Sequence, residues 1–228
     1  MFGLRFTAKD FFYMFVAGLF FFIVLAISRY AISSSVVHVN DENPEAQKIL
    51  NNIEEDFIIG SEKAPIQVVF YGDFTCHHCM RFVSDTFQRL RDEYIFTEKV
   101  QFVFRPIITL KRSLFGSKFL FCEKRDDVIN SNIFFEMFEK KWMMSDDYLN
   151  ALLKIVKNNK WDTPEHFQEC MNSKKIKENL KNIYYKTIKP LNIHETPHVY
   201  VDRVETLPDK TIFAVIDKAY AKWKKKQK

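Results

Sequence analysis

Apolar and polar positions divide this chain into three stretches. The first is Phe11 to Ile27, FFYMFVAGLFFFIVLAI, an apolar run without a charge. Roughly 20 apolar residues span a bilayer and about 17 suffice, so the run predicts a transmembrane helix. It exceeds the ~7–15 residues of a signal-peptide core, which favours an uncleaved signal-anchor over residues 1–33. Small residues at Ala26, Ser28, Ala31 and Ser33 leave a cleaved leader as the alternative. Arg5 and Lys9 precede the run and Arg29 follows it, a bias toward an inside N-terminus with the rest of the chain outside the cytoplasm. The second stretch, 34–62, reads as a stalk. It contains one short helix from Pro44, with Asn43 as its cap, and ends in the turn-rich IIGSEKAP.

The third stretch, 63–228, is periodic. Ile66–Tyr71 (IQVVFY) is a compact β-branched and aromatic run, the pattern of a buried strand. Residues 76–96 carry apolar side chains at helical spacing: Phe82, Val83, Phe87, Leu90 and Tyr94. Val100–Arg105 (VQFVFR) is a second strand, stopped by Pro106. Strand, helix, strand in so short a span implies a βαβ unit with a parallel pair. Residues of about 110–190 show helical patterns only. Ser145, Thr163 and Ser173 stand where N-caps belong, and Pro164 fits a first helical position. Val199–Val201 and Val204–Leu207 then read as strands, and Lys210–Trp223 as an amphipathic helix. The order βαβ, helices, ββα predicts an α/β thioredoxin-like fold with an all-helical insertion. A separate helical domain would leave the last strands with no sheet to join.

Composition narrows the function. The 228 residues include 24 Phe and only 5 Gly. A large aromatic core is therefore available, and Gly-rich phosphate loops are not. Net charge is +5, and much of the excess lies in the tail Lys222–Lys228. That tail reads as the solvated end of the last helix. No basic face with interleaved aromatics appears elsewhere, so no nucleic-acid partner is expected.

The chemistry-bearing residues are Cys76-His77-His78-Cys79, at the junction of the first strand and its helix. The thiolate is the nucleophile of thiol chemistry, so such a site must lower the pKa of one thiol. A helix N-terminus does so with free amides and its dipole. Thr75 as N-cap would put Cys76 at the first helical position. Cys79, three residues on, lies on the same face and can close a small disulfide loop. Cys76 is then the attacking thiol and Cys79 the resolving one. His77 and His78 would stabilise the thiolate and make the disulfide more oxidising. Later in the chain, Thr196-Pro197 directly precedes a strand, a place where an X–Pro bond can be cis. Cys122 and Cys170 in the helical block are either a structural disulfide or two buried small hydrophobes.

The TCHHC segment, VQFVFR, the helical block and TPHVYVD together resemble the DsbA family of thiol:disulfide oxidoreductases, over about residues 58–225. The resemblance implies that Cys76 and Cys79 are catalytic and that His77, His78 and Thr75 modulate them. It implies that Pro197 is a cis-proline facing the pair and that Thr196 offers backbone to a substrate strand. No cofactor and no metal are implied. The implied partners are reduced exported proteins and a membrane oxidase of the DsbB type. The implied location is a bacterial inner membrane, crossed once, with the catalytic domain in the periplasm; a cleaved leader would give a soluble periplasmic protein. Oligomeric state is not implied.

The chain departs from the family pattern at several places. His77 replaces the usual Pro or Gly. Phe70 stands where many members bury a Glu as proton relay, leaving Asp73 or water to substitute. Glu195 replaces a Gly before the Thr-Pro pair, and Asp202-Arg203 replaces a tight turn. Two alternatives use the same residues: a disulfide isomerase or reductase, and a copper- or zinc-binding chaperone in which the CHHC cluster is joined by His194 or His198.

Overall fold

The computed structural model describes residues 18, 21–23, 44–122, 126–139, 142, 145–159 and 163–227. Met1–Val37 and His38–Lys228 are separate units. The run 11–27 lies outside the described residues except for Gly18 and Phe21–Ile23, which are helical. Among the described residues no helix is long and apolar enough to cross a membrane.

The second unit is built on a five-stranded sheet in the order β1-β3-β2-β4-β5. Its strands are β1 (Phe57–Ile59), β2 (Ile66–Gly72), β3 (Val100–Pro106), β4 (His198–Val201) and β5 (Val204–Thr206). Only β2 and β3 pair in parallel, with Ile66 opposite Val100 and Gly72 opposite Pro106. The other pairings are antiparallel. Helix α1 (Pro44–Ile49) precedes the sheet. The βαβ crossover, α2, runs through His77–Phe82, Val83–Phe87, Gln88–Leu90 and Arg91–Ile95, of which the second and fourth stretches are π-helical. The insertion contributes α3 (Lys111–Cys122), α4 (Asp127–Met137), α5 (Tyr148–Asn159), α6 (Pro164–Asn172) and α7 (Lys174–Ile183), which continues as a π-helical turn over Tyr184–Ile188. Helix α8 (Ile212–Lys226) closes the chain and packs on β2 and β4.

This is the expected thioredoxin-like α/β fold with a helical insertion, with three local differences. Phe57–Ile59, placed by sequence in the stalk, is an edge strand paired to β3, and Leu50, Phe57 and Ile59 are fully buried. The folded unit thus takes in what reads as the end of the stalk. Ser145 does not cap α5. Asp147 stands before the first helical residue and accepts from the Asn150 amide at 3.2 Å. Asp202 and Arg203 both have positive φ, 45° and 68°. They form a tight hairpin turn of the primed type without glycine, and Arg203 is steadied by its bond to Asn51 Oδ1 at 2.6 Å.

Phenylalanines join the insertion to the sheet. Phe134 of α4 meets Phe87, Phe102, Phe104 and Phe138 with ring centroids 4.7–5.3 Å apart. Such pairs add ~0.5–1.5 kcal/mol each beyond their area burial. Within the insertion, Cys122 at the end of α3 is bonded to Cys170 in α6, with Cα atoms 5.8 Å apart and a sequence separation of 48. Cross-linking a loop of that size constrains the unfolded chain by roughly 2–4 kcal/mol. The double variant Cys122→Ala/Cys170→Ala is expected to lose that much stability in urea unfolding. An unchanged midpoint would show that the bond adds nothing to the folded state.

Candidate active site

The sheet register assembles the site. Tyr71 of β2 lies opposite His198 of β4, and the two strands run antiparallel. The chain leaving β2 and the chain entering β4 therefore meet at one end of the sheet. The first carries Thr75 to Cys79, and the second carries Thr196 and Pro197, whose peptide bond is cis.

Helix α2 begins one residue later than the sequence suggests. Cys76, not Thr75, is the N-cap, with φ −81° and ψ 120°, and His77 is the first helical residue. The reason is Asp73. Its carboxylate, almost wholly buried, accepts from both the amide and the hydroxyl of Thr75 at 2.7 Å. The Thr75 side chain is thus turned toward Asp73 instead of the helix. The Asp73 carbonyl accepts from the Cys76 amide at 3.0 Å, and the first α-helical bond runs from the Met80 amide to the Cys76 carbonyl. The other Asp73 oxygen accepts from the Thr109 amide at 3.2 Å and from the Thr109 hydroxyl. Asp73 therefore ties the cysteine turn to the segment leaving β3. With four donors on its two oxygens, it is a scaffold residue.

The two thiols are free and unequal. Cys76 is half-buried, and its Sγ lies 3.4 Å from the Thr196 carbonyl oxygen, the backbone just ahead of Pro197. Cys79 is completely buried. Burial pushes its thiol well above the ordinary value, opposed by a backbone hydrogen bond from Asp73 and reinforced by the neighbouring Cys76. Cys79 is thus a neutral thiol at physiological pH. Only a thiolate is nucleophilic, so its attack should quicken about tenfold per pH unit through the neutral range, without a plateau. Iodoacetamide at about pH 8 should alkylate Cys76 in the reduced native protein and spare Cys79 until the chain is unfolded. Equal labelling of both, read by mass spectrometry, would contradict this asymmetry.

Phe70, in the place of the family's buried Glu, is fully buried beneath the pair. Its ring stacks on Phe82 at 4.8 Å and meets Phe104 at 5.8 Å. His77 and His78 open α2, their rings 6.2 Å apart, and Arg81 Nη2 stands 3.4 Å from His77 Nε2. Two further histidines are engaged elsewhere. His198 Nε2 is 3.2 Å from Glu205 Oε1 and 3.1 Å from the Tyr200 hydroxyl. His194 bonds Asn192 at 2.7 Å. Among the described residues no group of three or more His, Cys, Asp or Glu side chains is placed to hold a metal ion. The metal-chaperone alternative therefore finds no ligand set there.

Sequence reasoning missed two supports of the site. Thr109 looks like an ordinary loop residue. Arg105 looks like the polar end of a strand. It is instead fully buried, and all its donor groups are used. Nε and Nη2 grip Asp56 at 2.7 and 2.9 Å, Nη1 reaches the Ile49 carbonyl and the Tyr71 hydroxyl, and Nη2 also reaches the Asn51 carbonyl. Burial works against its charge, but the hydrogen bonds it donates to Asp56 and the Asp56 charge outweigh that, and the guanidinium is held above its ordinary pKa.

Known proteins are similar to this chain in sequence and in fold. The thioredoxin family model matches residues 52–218. A Rickettsia bellii protein named "Putative protein-disulfide oxidoreductase" is 32% identical over 204 residues, covering 86% of this chain and 77% of that protein. A Bacillus anthracis protein named "Probable disulfide bond formation protein D" is 28% identical, covering 82% of this chain and 88% of its own length. Among solved structures, Wolbachia pipientis alpha-DsbA1 superposes with a TM-score of 0.71 at 24% identity, over 80% of this chain and 100% of that one. BdbD from Bacillus subtilis does so with 0.64 at 23% identity, over 75% and 95%. With the family matched over most of the chain and a cysteine pair at the N-terminus of the crossover helix, the chain belongs to the thioredoxin family, among its DsbA-like thiol:disulfide oxidoreductases.

Proposed function

We propose that this oxidoreductase introduces or exchanges disulfides in exported proteins through Cys76 and Cys79. The observation that carries the reading is the inequality of the two thiols beside the Thr196–Pro197 backbone. Cys76 is reachable and Cys79 is sealed. In the oxidised state a substrate thiolate attacks Cys76 Sγ, the Cys76–Cys79 bond breaks, and its electron pair leaves on Cys79, which takes a proton. A second substrate thiolate then attacks the substrate sulfur of the mixed disulfide and releases Cys76 as a thiolate. Two electrons have passed from the substrate dithiol to the cysteine pair; of the two protons the substrate thiols give up, one ends on Cys79 and the other goes to solvent as Cys76 leaves as a thiolate.

The departing Cys76 thiolate is favoured by the amides at the start of α2, with His77 and His78 as neighbouring donors. The Thr196 backbone, 3.4 Å from Cys76 Sγ, offers hydrogen bonds to an extended substrate segment. A quinone-linked membrane oxidase of the DsbB type would reoxidise the pair. The Cys122–Cys170 disulfide suits an oxidising compartment. The apolar run 11–27 suits an anchor that holds the domain on the periplasmic side of a bacterial inner membrane, near that oxidase.

The test is a trap. In Cys79→Ala the resolving thiol is gone, and mixed disulfides through Cys76 should accumulate on cysteine-bearing exported proteins and be released by dithiothreitol. Absence of dithiothreitol-sensitive adducts, with the variant folded, would refute the assignment of the pair. Its reduction potential separates the readings of direction. A value around −120 to −180 mV marks a disulfide donor, and about −250 mV or lower marks a reductant or isomerase.

A further inference from the structure

A second cavity, of ≈ 630 Å³, opens between α3, α7 and the segment that leaves β3. It shares no residue with the cysteine turn or the Thr196–Pro197 loop. Its apolar walls include Ile108, Leu114, Leu180 and Ile188, and its charged residues are all basic: Lys118, Lys177, Lys181 and Lys189. Among the described residues no Asp or Glu lines it.

Lys118 is the unusual member. It is only 9% exposed. Its recorded neighbour is the Phe115 ring, 5.9 Å from Nζ, and among the described residues it has no hydrogen-bond or carboxylate partner. Its stem is packed away while its ammonium keeps a solvent-reachable face on the cavity, so the charge is available to a ligand. Burial and the charge of Lys177 both push Lys118 below the usual lysine range. Two cations thus crowd one end of an apolar cavity that brings no acid of its own.

We infer that this cavity binds an apolar organic carboxylate, with its anionic head between Lys118 and Lys177 and its hydrocarbon or aromatic body against Leu114, Leu180 and Ile188. The volume falls within the ~300–1,000 Å³ of small-molecule sites. The walls are helices and a loop, while the sheet edges are β1 and β5, so an extended peptide would find no free strand edge to pair with.

The probe is naphthalene-2-carboxylate, titrated calorimetrically into the full chain held in nanodiscs of zwitterionic lipid. Its neutral amide and acetate serve as half-ligands. One-site binding of the carboxylate is expected, and binding by the amide and by acetate should each be weaker by about tenfold or more, the scale of one lost charge-assisted hydrogen bond. Lys118→Met should abolish the preference for carboxylate over amide and leave thiol oxidation unchanged. Leu180→Trp, which fills the cavity, should remove binding of carboxylate and amide alike. Equal affinity for acid and amide, an unchanged preference in Lys118→Met, or no binding of the carboxylate would each overturn the assignment. So would tight binding of an acidic, apolar peptide that the free carboxylate cannot displace, which would make the cavity a protein-docking site.

Discussion

Replacing Cys76 with serine is expected to lower the oxidation of a reduced dithiol protein by on the order of 10³-fold or more, the scale of removing a covalent nucleophile. The hydroxyl has the size of the thiol but forms no disulfide, so no mixed intermediate can arise. The buried Cys79 cannot take over, because it has no exposed surface for a substrate sulfur to approach. The assay counts free thiols on the substrate with time, with glutathione disulfide as the terminal oxidant. Retention of more than about a tenth of the rate would sink the proposed mechanism, since it would place the chemistry at other cysteines. The bond between Cys122 and Cys170 leaves no second free pair.

Removing Arg105 should be the most damaging single change to stability, with a loss of roughly 3–5 kcal/mol in Arg105→Ala. Such a loss is a large part of the ~5–15 kcal/mol that holds a domain folded. The variant would strand the Asp56 carboxylate, which is 2% exposed, together with the Ile49 and Asn51 carbonyls and the Tyr71 hydroxyl. The damage comes mainly from removing the guanidinium from a buried carboxylate that keeps the Ile53 amide as a donor but loses its counter-charge. The double variant Arg105→Met/Asp56→Asn should therefore recover part of the loss, and a double-mutant cycle in urea would measure the coupling. A loss below about 1 kcal/mol in Arg105→Ala would show that water reaches Asp56 and replaces the guanidinium.

These two results bear on how far the chain could be read from its sequence. The CHHC segment was legible because a strand pattern, a cysteine pair and a helix pattern follow one another without interruption. Local caps were legible where one side chain settles the matter. Thr163 accepts from the His166 amide and Ser173 from the Ile176 amide, both at 3.3 Å. Where two polar residues compete, the reading slipped. Thr75 loses the N-cap to Cys76 because Asp73 captures its hydroxyl, and Ser145 loses it to Asp147. Non-local features carried no local signal. Three residues, Phe57–Ile59, are too few to show alternation, and their strand exists only because β3 offers an edge. The partner of Arg105 lies 49 residues away, and that of Asp73 through Thr109 lies 36 away. Both contacts depend on the fold already being assembled. The π-helical turns of α2 add a further blur, because they shift the helical period on which apolar spacing is counted.

The aromatic bed under the cysteines has a consequence for proton traffic. Each turnover must deliver a proton to Cys79 and later withdraw it. Cys79 shares its buried core with the packed rings of Phe70, Phe82 and Phe104, which neither give nor accept a proton. The nearby carboxylate of Asp73 has its oxygens committed to Thr75 and Thr109. Proton and polypeptide must then share one doorway, on the Cys76 side. While a client covers that doorway, the leaving Cys79 depends on the client's own groups or on trapped water for its proton. A bulky, apolar client would be expected to turn over more slowly than a small dithiol for this reason alone.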